Sequence, residues 1–169
     1  ISQAGARGYM QVMPFWTGVI GDGDPSKLFD MRTNLRYGCT ILRHYLDIER
    51  ERFEERLQVH LEVPPALRAL AIPCLIVQPL VENAIKHGIS KQIHGGVVRV
   101  ISTIKNNFHE LLVQNTGYLN GHVSGEGFGL SSTTNRLNLL YGNKAKFEIK
   151  QASPSLVEAR VLIPFEADY

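Results

Sequence analysis

Apolar and polar positions along this 169-residue chain change their period several times, and each change marks an element. From Ile1 to about Arg32 no period holds. Gly5, Gly8, Pro14, Gly18, Gly21, Gly23 and Pro25 interrupt the apolar residues, so regular structure there is expected to be short. A helix is predicted next, capped by Thr33 or Asn34 and running to about Phe53, with Leu35, Cys39, Leu42, Leu46 and Phe53 on one stripe and Ile41, Tyr45 and Ile48 beside it. Gly38 costs this helix roughly 1 kcal/mol relative to Ala. Mixed charges from Asp47 to Arg56 read as its solvated face. Leu57 to Val63 alternates strictly, as a half-buried strand does, and Pro64-Pro65 end it.

A second helix is expected with Pro73 in its first turn and Gly88 at its end, bent or loosened near Pro79. Val97–Lys105 and Glu110–Asn115 read as a hairpin closed by Asn106-Asn107. Leu130, Leu137 and Leu140 give helical spacing to Leu130–Tyr141, which Gly142 stops. Ala145–Gln151 and Leu156–Pro164 form a further hairpin around Ser153-Pro154. The order from Leu57 is strand, helix, hairpin, loop, helix, hairpin, without internal repeats. It predicts an α/β two-layer sandwich: a mixed sheet with helices on one face, preceded by a loop-rich segment and a helix.

Composition narrows the classes. The length suits one ordinary domain, or one compact domain plus an appendage. Eighteen Lys and Arg against sixteen Asp and Glu leave a formal net charge of +2, which gives no footprint for nucleic acid. Cys39 and Cys74, with no C-x-x-C, predict packed, reduced thiols and neither a disulfide scaffold nor a zinc site. The longest apolar stretch, Ala71 to Val77 broken by Pro73, is too short to span a bilayer, and no signal peptide opens the chain. A chain opening at Ile1 and not at Met reads as a fragment or a processed product, with room for an upstream anchor.

Three stretches carry candidate chemistry. In Gln78-Pro79-Leu80-Val81-Glu82-Asn83-Ala84-Ile85-Lys86-His87-Gly88, helical spacing brings Asn83, Lys86 and His87 to one side, over a dry stripe of Ile76, Leu80 and Ala84. An amide, an ammonium and an imidazole together suit a metal-bound polyphosphate, although the same spacing describes any amphipathic helix with a polar face. Gly125-Glu126-Gly127-Phe128-Gly129-Leu130 leads into a predicted helix, where bare backbone and unpaired amides favour an anion. It lacks a Walker ending and follows no strand, so neither a P-loop nor a dinucleotide fingerprint is present. Gln114-Asn115-Thr116-Gly117 closes the first hairpin with a polar side chain and a glycine, as an ordinary turn also does.

The order and spacing of these stretches resemble the ATP-binding domain of LytS-like sensor histidine kinases, within the GHKL ATPases and their Bergerat fold. The matching strings are Tyr45-Leu46-Asp47-Ile48-Glu49, Arg52-Phe53, Arg56-Leu57, Gln78 through Gly88, Gly127-Phe128-Gly129-Leu130, and Asn135-Arg136-Leu137 with Leu140-Tyr141-Gly142. They cover about three quarters of the chain, residues 45–169. The resemblance implies ATP and Mg2+ as cofactors, with Asn83 the metal ligand, Lys86 and His87 meeting phosphate, and Gly125, Gly127, Gly129 and Leu130 in a lid over it. Magnesium takes about one or two protein oxygens and fills its shell with phosphate and water, which fits one amide. Glu82 is either a tuner of metal-bound water or a polar helix residue. At Asn115 the family usually carries an aspartate that recognises the adenine amino group, and an Asn can accept the same hydrogen bond. Leu119 stands where a glycine is often found, two residues after Gly117.

The family's function is transfer of the ATP γ-phosphoryl group to a histidine, with a response-regulator receiver domain as partner and a cytoplasmic location. Its phosphoacceptor histidine lies well upstream of the matching region. Nothing in Ile1 to Arg43 corresponds to it and His44 is misplaced, so autophosphorylation by this chain alone is not expected. A homodimer through the 34–53 helix is a further expectation, as is its counterpart, a non-catalytic dimerisation or nucleotide-sensing module.

Residues 1–44 resemble something else. Ala4-Gly5-Ala6-Arg7-Gly8-Tyr9-Met10-Gln11-Val12-Met13-Pro14 and Asn34-Leu35-Arg36-Tyr37-Gly38 with Leu42 are similar to soluble lytic transglycosylases, which cleave peptidoglycan. That family's catalytic glutamate precedes the matching string. Cleavage of this kind needs an acid on the leaving oxygen, so no such activity is expected. The two resemblances meet between His44 and Glu49, which predicts a hybrid chain with domains 1–44 and 45–169.

Overall fold

The computed structural model describes residues 5, 12–67, 76–119 and 128–165, with the backbone alone at 31, 32, 34, 35, 128 and 129. Two compact units divide the chain, Ile1–Arg52 with Ala71–Ile76 and Phe53–Leu70 with Val77–Tyr169.

In the first unit a short helix α1 (Trp16–Ile20) and a 3-10 turn (Pro25–Phe29) precede the long helix α2 (Met31–Phe53). Leu28, Val12 and Tyr37 form a buried cluster, with Trp16, Ile20 and Ile41 against it. Helix α2 begins earlier than its sequence signals. Asp30 is the cap, accepting the Thr33 N–H at 2.7 Å, so Thr33 is an interior residue of the first turn. Cys39 also departs from expectation, being exposed and not packed. Two residues on from buried Tyr37, it lies about half a turn round the helix from the inward face.

The second unit is a five-stranded mixed sheet in the order β1-β2-β3-β5-β4. Its strands are β1 (Leu57–Glu62), β2 (Gly96–Lys105), β3 (Phe108–Thr116), β4 (Lys146–Ser153) and β5 (Leu156–Pro164). β1 and β2 are parallel and all other pairs antiparallel. Parallel neighbours need a crossover, and helix α3 (Val77–Asn83) lies in it. The expected hairpins are present. Asn106 and Asn107 both take positive φ, 50° and 61°, as a two-residue turn matching strand twist requires.

One sheet face is dry. Val98 and Val100, Leu111 and Val113, and Val157, Ala159, Val161 and Ile163 are buried on it, in register across β2, β3 and β5. Helices α3 and α4 (Phe128–Tyr141) pack together and cover it. Each fully buried Val, Leu or Ile contributes about 1.5–3 kcal/mol. The other face carries ion pairs: Arg160 with Glu110 and Glu148, and Lys150 with Glu148 and Glu158. Two apolar expectations fail at margins. Leu61 is 65% exposed because β1 is an edge strand, and Leu140 is 54% exposed while Thr133 and Leu137 supply the inward face of α4.

Candidate functional site

The stretch Gln78–Gly88 is a helix of changing pitch. Helix α3 ends at Asn83, a π turn spans Ala84–Gly88, and a 3-10 turn follows at Ile89–Lys91. Pro79 is accommodated in the first turn of α3, where its missing N–H leaves no helical bond unmade. Leu80, Val81, Ala84, Ile85 and Ile89 are buried, so the apolar stripe anchors the segment on the sheet. The N–H of Ile89 is shared between the carbonyls of Ala84 and Ile85, one π-type and one α-type acceptor. Asn83 is half-buried, whereas Lys86 and His87 are exposed. A π turn advances less per residue than an α turn, so these two side chains are rotated from the alignment that ideal α spacing predicts.

Gly88 did not simply stop a helix. A Cβ built on it would lie 2.1 Å from Asn115 Nδ2 and 3.1 Å from Thr116 O, so only glycine lets the helix end touch the end of β3. Gly117, at φ +150°, closes the same corner, with Asn115 Nδ2 3.2 Å from its virtual Cβ. Gly88, Asn115 and Gly117 are thus in one place. Asn115 is 5% exposed and its Nδ2 donates to Thr116 O at 3.0 Å. A carbonyl only accepts, so the amide orientation is fixed by chemistry, and Oδ1 is the group left to meet a ligand.

Glu82 accepts a hydrogen bond from Gln78 Nε2 at 2.8 Å, one helical turn earlier. Burial, then the ammonium groups of Lys91 and Lys86, hold the His87 imidazole below its usual range, so it is neutral at pH 7. Of the glycine-alternating stretch, Gly125 and Gly127 lie outside the described residues. Helix α4 starts at Phe128, two residues before the expected start, which puts Gly129 and half-buried Leu130 in its first turn. A cavity of about 330 Å³ between α4 and β4 takes in Leu130, Asn135 and Phe147 but none of Asn83, Lys86, His87 or Asn115. It is not the corner built by Gly88 and Asn115.

Gln151, on β4, was not legible as a site residue. It accepts from the Leu119 N–H at 2.7 Å and reaches the Gly117 carbonyl at 3.2 Å, tying down the chain that leaves Asn115. No local pattern marks it, since its role depends on strand order.

No protein-family model matches the chain. Over 123 residues it is 32% identical to the sensor histidine kinase BtsS of Escherichia coli, a stretch that is 72% of this chain and 22% of that protein. It is 28% identical over 140 residues to the sensor protein LytS of Enterococcus faecalis, covering 75% of this chain and 24% of the relative. The nucleotide-free catalytic domain of histidine kinase ThkA superposes with a TM-score of 0.56 at 18% identity, over 74% of this chain and 91% of that one. The chain carries a GHKL domain of the LytS-like sensor histidine kinases. The sandwich fold expected from the sequence is that of the histidine kinase catalytic domain. This GHKL chain spans about a fifth of the length of the sensor kinases it matches.

Proposed function

We propose that the corner between the π turn and the end of β3 binds ATP with Mg2+, for transfer of the γ-phosphoryl group to a histidine. The observation that supports this reading is the contact of Gly88 with Asn115, which joins the end of the segment carrying Asn83, Lys86 and His87 to a hydrogen-bond acceptor on β3. Asn83 supplies an amide oxygen to the metal, a donor type that a hard ion accepts. Magnesium, when bound, neutralises charge developing on the phosphoryl oxygens. Lys86 offers an ammonium to phosphate and His87 an imidazole N–H donor. Asn115 Oδ1 accepts from the adenine amino group, Gly117 leaves room for the base, and Gly125, Gly127, Gly129 and Leu130 close over the phosphates. Glu82 is held by Gln78, which supports a polar helix residue over a tuner of metal-bound water.

The acceptor lock gives a test. With Nδ2 engaged by Thr116, the site favours a 6-amino purine over a 6-oxo one, and one lost hydrogen bond corresponds to about tenfold in affinity. Calorimetry with Mg-ATP and Mg-ITP is expected to show that difference in favour of ATP. Equal affinities would contradict the role of Asn115, and no binding of either would contradict the function.

A response-regulator receiver domain as partner, a cytoplasmic location and a homodimer through residues 34–53 belong to the same proposal. So does a failure of this chain alone to autophosphorylate. A hybrid origin with a boundary near residue 44 rests on sequence patterns alone, and BtsS and LytS lend it no support. Finding one uninterrupted kinase pattern upstream of Ile1 in the encoding gene would contradict it.

A further inference from the structure

Four hydrogen bonds converge on one exposed side chain that belongs to none of the motifs. Gln151 Oε1 accepts from Leu119 N–H at 2.7 Å, while Nε2 lies 3.2 Å from Gly117 O, 2.6 Å from Ser153 O and 3.1 Å from Leu156 O. One N–H on Oε1 and three carbonyls sharing the two N–H groups of Nε2 fix the amide's orientation. The strand pairing explains how a β4 residue reaches so far. Register shifts between Gln151 and Ser153, and such a bulge re-aims a side chain. Leu156, the first residue of β5, pairs with Ser153 on one side and Thr116 on the other, and Gln151, opposite Val157 near that end, reaches across it to the chain leaving β3.

That chain has little restraint of its own. Gly117 carries the widest conformational freedom of any residue type, and its N–H is held by Ser155 O at 2.9 Å. Gln151 adds holds on the Gly117 carbonyl and on the Leu119 amide, so that both sides of Tyr118 are fixed. Since Gly117 packs against the Asn115 amide, whatever fixes Gly117 fixes one wall of the corner.

We propose that Gln151 is a positioning residue for the nucleotide, holding Gly117–Leu119 so that the acceptor end of the site is formed before the ligand arrives. The proposal rests on the ATP-site reading above. Preorganised segments do not have to be ordered on binding, which is where affinity is otherwise lost. Leu119, in place of a frequent glycine, fits the same arrangement: its N–H is one that Gln151 binds, and its side chain narrows the backbone's range.

The test uses the full chain and Gln151→Met, which keeps side-chain length and removes all four hydrogen bonds. Calorimetry with a Mg-bound non-hydrolysable ATP analogue is expected to give about tenfold weaker binding in the variant. Amide exchange at Leu119 in the ligand-free chain is expected to be about tenfold faster, and the loss of affinity is expected to persist at temperatures where both proteins are fully folded, whatever the melting temperature does. A purely structural role would instead lower the melting temperature and leave the affinity of the folded chain as it was. Wild type that binds, with Gln151→Met matching its affinity within about twofold, overturns the proposal and leaves the ATP-site reading standing. Wild type that binds no Mg-nucleotide overturns the reading and this proposal with it.

Discussion

At the residue scale the candidate site depends on two small features, a missing Cβ and a suppressed charge. Gly88→Ala would push a methyl group into Asn115 Nδ2. Overpacking of this kind costs about 1–3 kcal/mol, and relief by turning Asn115 would break its bond to Thr116. Urea denaturation is expected to register the stability loss, and calorimetry a weakening of nucleotide binding beyond it. His87 gives a pH signature. Its folded pKa is lowered by burial and then by Lys91 and Lys86, and a polyphosphate beside it would oppose that shift. Binding should then take up a proton, so affinity for Mg-ATP rises as pH falls from about 7.5 towards 6. Calorimetry in buffers of different ionisation enthalpy measures the uptake, and His87→Asn should abolish it. Asn83, Lys86 and His87 stand out as candidates in the sequence because their motif is contiguous and its chemistry narrow, and Asn115 only through the family resemblance at the end of its hairpin. Gly88 was legible only as a helix end, since its contact with Asn115 joins positions far apart in the chain. Gln151 was not legible at all, because its partners are set by strand order.

At the element scale, hairpins read well and helix pitch did not. Asn106-Asn107 states its own turn, and both residues adopt the left-handed region that Asn tolerates. Asn107→Val should therefore cost about 1–2 kcal/mol, measurable by urea denaturation. The π turn at Ala84–Gly88 left no trace in the pattern, since apolar residues at Leu80, Val81, Ala84 and Ile85 suit either pitch. Asp30 was missed as a cap because the apolar stripe starts several residues later than the helix. The strand pair β2–β3 holds a buried imidazole. His109 is 3% exposed, its Nε2 is 2.7 Å from Ser102 Oγ, and burial lowers its pKa. The unfolded chain takes up this proton near pH 6.5 while the folded chain resists it. The contribution is therefore complete above the unfolded pKa and is lost as pH falls below it, down to the folded value. Denaturation midpoints at pH 7.5 and 5.5 should differ more in wild type than in His109→Gln.

At the scale of the whole molecule, one sheet face is dry under two helices and the other carries linked ion pairs, with Glu110 nearly buried against Arg160. Replacing Arg160 by Met would leave that carboxylate without its cation, and a lower urea midpoint is expected, with a smaller response to added salt than in wild type. The layered architecture was legible because strand and helix periods alternate from Leu57 onward. The order β1-β2-β3-β5-β4, and with it the parallel β1–β2 pair, was not, since pairing partners leave no local signal. The sequence relationship to sensor kinases covers about a fifth of those proteins, so nucleotide binding is the property this chain can be asked for directly. Calorimetric titration with a non-hydrolysable ATP analogue, with and without magnesium, on wild type and Asn83→Ala tests it most directly. Magnesium-enhanced binding is expected in wild type, with the magnesium dependence lost in Asn83→Ala. Magnesium-independent binding, or equal behaviour of the two proteins, would contradict it.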